Sequence, residues 1–323
     1  MTDQGHLFGP PPNPVQPAEA DDEWVGLATK LPPSIHMGTS SWSFPGWHGL
    51  VYRRPYTGPQ LAQYGLKAYA SHPLFRTVGV DRSYYAPVPR QTWRDWHEAT
   101  PASFRFLIKA GSDLVRVPER LEGSTFLDPG HAETTLLGPM AEGLDDKAGP
   151  VLFQFSRESL RTIGGPHAFA DALGEMLHAL PKGHLYAVEV REPSWVTPRY
   201  LDVLRTTGAV HCVNVYPGMP TVRQQAQWLR ETDPCALVIR WMLHPSWTYR
   251  AAKTTFAPFR DLQAALPEAR QDIVAMLLGA LRRHIPAWVI LNNKAEGSAP
   301  LSVVELARAF AHRSGSSDGA DPS

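Results

Sequence analysis

Eight short, strand-like runs recur along this sequence, and they constrain its fold more than any other feature. Each run is rich in β-branched or aromatic residues, and the runs begin about 36 residues apart on average. They cover residues 35–41, 77–85, 104–110, 150–156, 185–195, 209–215, 236–242 and 287–293. Stretches with the apolar spacing of helices lie between and after them, at 59–71, 90–98, 131–142, 167–180, 198–207, 221–230, 267–284 and 301–312.

This strict alternation of strands and helices indicates an α/β domain with a parallel sheet. Eight units favour closure into a single (β/α)8 TIM-type barrel. An open, doubly wound sheet is the alternative, but no G-x-G-x-x-G or G-x-x-x-x-G-K-[ST] motif follows the first run. No linker interrupts residues 35–312, so we expect one domain over that range.

The two ends of the chain differ in composition from this domain. Residues 1–34 are polar and rich in proline, and residues 313–323 are rich in Gly, Ser and Asp. Such segments bury too little apolar surface to offset their ordering entropy, so we expect a disordered or loosely draped arm and a disordered tail. In the arm, Gln4, Leu7 and Phe8 form a Q-x-x-L-F pentapeptide similar to those that dock on bacterial sliding clamps; the alternative is a chance match.

Composition argues against several classes of protein. Lys and Arg number 31 and so do Asp and Glu, whereas proteins that coat nucleic acid or anionic membranes usually carry a basic surplus. Nucleic acid stays open as a partner through a local basic patch. Cys212 and Cys235 are too few for a disulfide scaffold and lack metal-ligand spacing. No apolar run has the length of a membrane helix, and residues 1–34 lack the apolar core of a signal peptide, so we expect a cytoplasmic protein.

If the barrel forms, polar residues at the ends of its strands meet at the C-terminal mouth. Alternation with a period of two directs a set of them inward. The set comprises Asp81, Lys109, Gln154, Glu189, Arg191, Asn214, Arg240, Asn292 and Asn293. Because a buried charge is costly without a partner, these groups must pair with one another, with water or with a ligand. A closed ion-pair network is the alternative to a ligand site.

Aromatic residues follow the same strands, among them Trp42, Tyr85 and Trp195. Beside cationic side chains they suit a ligand that carries a ring or a sugar, through stacking and apolar contact. Loops that merely seal the top of the barrel are the alternative.

These residues predict a hydrolase or lyase acting on a phosphate- or sugar-containing substrate, nucleic-acid-derived substrates included. Lys109, Arg191 and Arg240 would hold an anionic group, and Lys109 would also belong to the catalytic set. Glu189 would act as general acid or base with Asp81 as its partner. Gln154 and the strand-end asparagines would orient the substrate. The alternative is a non-catalytic binding or scaffold protein for a small anionic ligand, tethered to a partner through the arm.

We expect no cofactor. Too few histidines stand at the strand ends for a multinuclear zinc site, which needs several such ligands close together. A single Mg²⁺ on Asp81 or Glu189 stays open.

Several motifs together resemble the YecE-like family, also called domain of unknown function 72. They include G-T-S-S-W-S-F at 38–44, V-E-V-R with P-S-W at 188–195, and the eighth-strand segment at 292–300. Through this last motif, the resemblance adds Glu296 to the expected substrate-binding residues. The resemblance runs from about residue 36 to 312 and implies a fold similar to TIM barrels, without an established general activity. Gly79 and Asp81 stand where the family usually has Glu and Asn, and Met242 stands where it usually has His.

Overall fold

Eight parallel strands, in the order of the sequence, close into a barrel. This computed structural model describes residues 14–119, 121–157 and 160–315. The strands are β1 (Ile35–Thr39), β2 (Thr77–Val80), β3 (Arg105–Lys109), β4 (Ala148–Phe155), β5 (Tyr186–Val190), β6 (Val210–Val215), β7 (Leu237–Trp241) and β8 (Ala287–Leu291). Each strand pairs with the next, and β8 pairs in parallel with β1. The predicted closed barrel is confirmed, and the open sheet is wrong.

Helices follow the strands and cover the outside of the barrel. They are α1 (Asp22–Thr29), α2 (Gly58–Tyr64), α3 (Leu66–Ala70), α4 (Arg82–Tyr85), α5 (Arg90–Glu98), α6 (Ser112–Val115), α7 (Pro129–Ala132), α8 (Gly138–Leu144), α9 (Pro166–Ala179), α10 (Pro198–Thr207), α11 (Val222–Thr232), α12 (Tyr249–Thr255), α13 (Pro267–Arg282), α14 (Asn293–Glu296) and α15 (Ala299–Gly315). A π-helical turn, Glu133–Leu137, joins α7 to α8. The described helices include none that is long and apolar enough to cross a membrane.

Local sequence signals set the ends of several helices. Thr197 accepts a hydrogen bond from the backbone of Tyr200 at the start of α10, and Gly208 ends that helix in the left-handed conformation. Thr221 and Gln224 form a reciprocal capping box at the start of α11. The helix predicted over 59–71 is two helices, α2 and α3, which meet at Gly65. A β-carbon there would lie 2.5 Å from the Leu61 carbonyl oxygen, so only glycine allows this tight junction.

The barrel separates two apolar clusters. The inner cluster fills the barrel and comprises Leu107, Leu152, Ala187, Val210, Cys212, Ala236, Val238, Trp288 and Ile290. The outer cluster joins the other face of the strands, for example Phe106, Phe153 and Val188, to the helices. This division follows from the period of two along each strand. It leaves the inner faces of the last strand residues free to form a polar layer at the mouth.

Part of the arm expected to be disordered is ordered. Helix α1 begins after Asp21, whose carboxylate accepts a hydrogen bond from the backbone of Glu23. Leu27 is buried, and Arg76 donates hydrogen bonds to the carbonyls of Ala28 and Pro32. Disorder is therefore wrong for residues 14–34, because composition does not reveal these contacts with the barrel. Likewise, α15 continues through 313–315 of the predicted tail, and residues 1–13 and 316–323 lie outside the described residues.

Two strands end earlier than predicted, and this affects the mouth. β2 ends at Val80 rather than at residue 85, because the chain turns into α4 after Asp81. β5 ends at Val190, and a 3-10 helix follows at Pro193–Trp195. Asp81 and Arg191 therefore lie in strand-to-helix loops, where TIM barrels carry their working residues.

Candidate functional site

A buried carboxylate between two arginines forms the floor of the mouth. Glu189 is inaccessible to solvent; its Oε1 accepts a hydrogen bond from Nε of Arg191 at 2.6 Å, and its Oε2 pairs with Nη1 of Arg240. Arg240 also donates to Oε1 of Gln154 at 3.2 Å. Four residues predicted to face inward from β4, β5 and β7 and the loop after β5 thus meet in one network.

This network keeps Glu189 ionised. Burial by itself would raise the pKa of Glu189, but Arg191 and Arg240 outweigh it and lower the pKa to about 2. Each of its carboxylate oxygens is already engaged by an arginine. Such a weakly basic carboxylate is also poorly suited to accept a proton from a substrate. Its geometry instead fits a residue that positions the two arginines.

Lys109, at the end of β3, lies above this floor. Its Nζ is 3.7 Å from the ring centroid of Tyr84 and donates no hydrogen bond to any residue that the structure describes. Burial lowers the pKa of Lys109 to about 8, and the carboxylate of Asp81 opposes that shift. Asp81 also acts on Arg240, so these three charged groups share one electrostatic environment at the mouth.

Lys294 is a further cation at the mouth, and the sequence analysis missed it. It follows Asn292 and Asn293, the two residues directly after β8, and is largely buried. Burial lowers the pKa of Lys294 to about 8, again with Asp81 opposing the shift. Asn292 positions it, because the Oδ1 of Asn292 accepts a hydrogen bond from the Lys294 backbone at 3.0 Å. Asn292 is held in turn by Ser40, to which its Nδ2 donates at 2.7 Å. The sequence did carry a signal for Lys294, because a lysine directly follows the two asparagines that were assigned to the mouth.

Three mouth cations rest on tyrosine rings. Besides the contact of Lys109 with Tyr84, the Arg191 guanidinium lies 4.2 Å from the centroid of Tyr216, and Nζ of Lys294 lies 4.7 Å from that of Tyr249. We call Lys109, Arg191 and Lys294 the tyrosine-backed cations. An aromatic face attracts a cation without supplying a countercharge. Lys109 and Lys294 therefore keep a charge that no carboxylate within the described chain neutralises by an ion pair.

Other predicted residues do not join this group. Trp42 is buried outside the barrel, where its indole donates to the Leu61 carbonyl and packs edge-on against Trp96. Trp195 is buried against Phe169 in the outer cluster. Both aromatic side chains seal the fold, as the alternative in the sequence analysis held.

Two residues of the eighth-strand motif also have structural partners. Oδ1 of Asn293 accepts hydrogen bonds from the indole of Trp47 and from the backbone of Ala299. Glu296 is inaccessible to solvent and pairs with Arg270 at 2.6 Å, which joins α14 to α13. These contacts tie both side chains to neighbouring elements, while Nδ2 of Asn293 and Oε2 of Glu296 make no hydrogen bond to a described residue.

Asn214 lies deep in the mouth, whereas Tyr85 lies at its exposed rim. Asn214 is fully buried, and its Nδ2 donates to the carbonyl of Val190 at 3.1 Å, which ties β6 to β5. Its Oδ1 accepts no hydrogen bond from a described residue. Tyr85 stands on the rim with its side chain exposed. Gln4, Leu7 and Phe8 lie outside the described residues.

The described residues hold no group of three or more His, Cys, Asp or Glu side chains arranged for a metal ion. Gly79 faces the barrel interior, where a β-carbon would lie 3.2 Å from Cα of Ser40. A larger residue at that position would have to displace its neighbours. At the mouth, Asp81 differs from Glu189 in two ways. It is partly accessible, and it forms no ion pair with an arginine within the described chain.

Comparison with known proteins gives the family. The profile of the family described as "Protein of unknown function DUF72" matches residues 36–322. The chain belongs to the DUF72 family. The UPF0759 protein YunF of Bacillus subtilis (strain 168) is 27% identical over 287 residues, which cover 82% of this chain and 90% of that protein. The family resemblance seen in the sequence motifs is thereby confirmed.

Solved structures of DUF72 proteins share the fold. A crystal structure from Enterococcus faecalis V583 superposes with a TM-score of 0.63 at 21% identity, covering 85% of this chain and 95% of that one. One from Thermotoga maritima MSB8 has a TM-score of 0.57 at 17% identity, covering 86% of this chain and 98% of that one. At these identities the likeness concerns the fold alone, so the function must be argued from the mouth of this DUF72 barrel.

Proposed function

We propose that the barrel mouth binds a substrate through an anionic, phosphate-bearing group and acts on it as a hydrolase or lyase. The observation that carries this proposal is the arrangement of the tyrosine-backed cations. In an ordinary ion-pair network each cation faces a carboxylate, as Arg240 faces Glu189. Lys109 and Lys294 face aromatic rings instead. Their charge is left available, and an anion from solution is the partner that would complete them.

The charge and geometry of the mouth favour phosphate over a smaller anion. Within the described chain, the carboxylates that act on Lys109, Arg191, Arg240 and Lys294 are those of Asp81 and Glu189. The mouth therefore carries a local positive excess in a chain of zero formal net charge. A dianionic phosphoryl group would balance this excess. Arg191 uses Nε for Glu189, which leaves its terminal nitrogens for oxygens of a ligand.

The chemistry requires a proton donor and acceptor beside the bound anion, and Asp81 with Lys109 fits that need. Asp81 is partly accessible, and it acts on Lys109, whose pKa is lowered by burial to about 8; Lys294 shares both properties. Groups whose pKa values lie near the working pH transfer protons most efficiently. In this proposal Glu189 is a positioning residue, because it holds Arg191 and Arg240 rather than touching the substrate.

Asp81→Asn tests the catalytic part of the proposal. A panel of phosphomonoesters, phosphodiesters and sugar phosphates would be assayed for released phosphate and for new products by mass spectrometry. For the substrate that is turned over, we expect Asp81→Asn to lower kcat about 100-fold or more. Phosphate affinity should stay the same or rise, because an opposing charge is removed. Asp95→Asn, on the exposed face of α5, is the matched control and should keep full activity.

Two outcomes would revise the proposal in different ways. Undiminished kcat in Asp81→Asn would remove Asp81 from the proton transfer. Phosphate binding without turnover of any panel compound would favour the alternative, a non-catalytic protein that binds a small anionic ligand.

The binding of anions should depend on pH. Lys109 and Lys294 are cations below their pKa values of about 8 and lose that charge above them. Affinity for sulfate, whose own charge is constant, should therefore fall by about tenfold or more from about pH 7 to about pH 9.5, since a charge-assisted hydrogen bond contributes about 1.5–3 kcal/mol. Isothermal titration across this range measures the effect. A flat profile would leave only the arginines as ligands of the anion.

A further inference from the structure

We infer that a side cavity next to the mouth binds a hydroxyl-bearing ring, so that the substrate is a sugar phosphate or a related phosphorylated ring compound. This inference rests on the proposed function, because it places the rest of a molecule whose phosphate lies on the tyrosine-backed cations. The side cavity has a volume of about 160 Å³ and lies between the loops that follow β2 and β3. Tyr84, Tyr85, Ser112, Asp113 and Thr135 contribute to its walls.

The side cavity and the anion site share a wall. Tyr84 lines the cavity, and its ring is the one on which Nζ of Lys109 rests at 3.7 Å. Ser83 also lines the cavity, and its hydroxyl donates to the Lys109 carbonyl at 2.6 Å. A group bound in the cavity would therefore lie beside any phosphate held by Lys109.

The walls combine aromatic faces with polar groups that lack partners. The rings of Tyr84 and Tyr85 meet at 90°, with their centroids 5.2 Å apart. The hydroxyls of Ser112 and Tyr85 make no hydrogen bond to a described residue. A sugar ring presents C–H groups to aromatic faces and hydroxyls at its edges, so it can satisfy both kinds of wall at once.

Asp113 supplies a fixed acceptor in this cavity. Its Oδ2 lies 2.5 Å from Nε2 of His131, and its Oδ1 accepts from the backbone of Leu114 at 3.1 Å. Gly111 permits this position, because a β-carbon there would lie 2.3 Å from Oδ1 of Asp113. A carboxylate held in this way can still accept hydrogen bonds from ligand hydroxyls through its remaining lone pairs.

The size of the side cavity limits what it can hold. Its volume equals that of about five molecules of liquid water, which is enough for a single five- or six-membered ring. A longer polymer would have to continue into solvent across the exposed ring of Tyr85. The cavity thus favours a monosaccharide unit at this position.

Titration calorimetry with three probes tests the inference: orthophosphate, ribose 5-phosphate and ribose. We expect ribose 5-phosphate to bind at least about tenfold more tightly than orthophosphate. In Ser112→Leu, a leucine would occupy the cavity without removing any side-chain hydrogen bond within the described chain. That variant should bind ribose 5-phosphate no better than orthophosphate, with its orthophosphate affinity unchanged. Ser246→Leu, which adds the same bulk to the exposed loop after β7, should behave like the wild type.

Equal affinity of the wild type for ribose 5-phosphate and orthophosphate would overturn the side-cavity inference and leave the proposed function standing. A preserved preference in Ser112→Leu would also overturn it, since the ring would then bind elsewhere. Absence of orthophosphate binding would instead contradict the proposed function itself. If Ser112→Leu does not fold, Tyr85→Ala takes its place, because that side chain is 80% exposed and contributes little to the core. Its preference for ribose 5-phosphate should fall several-fold, and an unchanged preference would overturn the inference.

Discussion

Replacing Glu189 by Gln is expected to lower the free energy of unfolding by about 3–5 kcal/mol, because the change leaves buried Arg240 without its countercharge. Chemical denaturation monitored by circular dichroism measures this loss. Glu142→Gln is the matched control, since Glu142 pairs with Arg90 at 2.6 Å and both side chains are about half exposed. An exposed pair of this kind contributes at most about 1 kcal/mol. Equal losses in the two variants would contradict a buried, ionised Glu189.

The same carboxylate should make stability fall in acid. Its pKa is lowered from 4.5 to about 2 in the folded protein, so the folded state holds fewer protons than the unfolded state between those values. The stabilisation is complete above about pH 4.5 and is lost as the pH falls toward about 2. Glu189→Gln lacks this titration, so its stability should vary less with pH over that window. Parallel pH profiles for the variant and the wild type would contradict this assignment.

Lys109→Met is expected to weaken the binding of orthophosphate by about 10- to 150-fold, because the variant loses one charge-assisted hydrogen bond to the anion. Methionine has a similar length, and its sulfur can rest on the ring of Tyr84, so the local packing is kept. Stability should not fall, because burial disfavours the charged form of Lys109. Titration calorimetry measures the affinity, and Lys67→Met, on the exposed side of α3, is the control. A similar affinity in Lys109→Met and the wild type would place the anion elsewhere.

The barrel could be predicted from the sequence because two regular patterns occur together: alternation within each strand and an even spacing between strands. Alternation of apolar residues within each strand fixes which side chains face inward, and the regular return of strands fixes the closure. Gln154, Glu189 and Arg240 were assigned inward on this basis, and they meet in one hydrogen-bonded network. In a parallel barrel, residues at the same height on different strands must approach one another, so their contact follows from the fold.

The direction of side chains beyond the strands could not be predicted in this way. Trp42 and Trp195 follow strands but turn outward into the helical layer, because loop residues do not obey the alternation. Glu296 was predicted as a site residue from a family motif, yet its carboxylate pairs with Arg270 on α13. Such partners come from helices far along the chain, and their position depends on the packing of the whole layer.

The contacts of the mouth cations with tyrosine rings could not be predicted from the sequence either, although Lys109 and Arg191 themselves were. Tyr84 and Lys109 lie 25 positions apart in the sequence, and Tyr249 and Lys294 lie 45 apart. No local pattern links members of such pairs, and aromatic residues after strands usually seal a barrel. Only the fold distinguishes Tyr84, which supports a mouth cation, from Trp42, which does not.

A crystal structure of the protein soaked in orthophosphate would show directly whether the tyrosine-backed cations form an anion site. We expect a phosphate at the barrel mouth, with its oxygens within hydrogen-bond distance of Nζ of Lys109 and of the terminal guanidinium nitrogens of Arg191. A mouth without phosphate at saturating concentration, with Lys109 still resting on Tyr84 and no anion beside it, would show that these cations do not form an anion site.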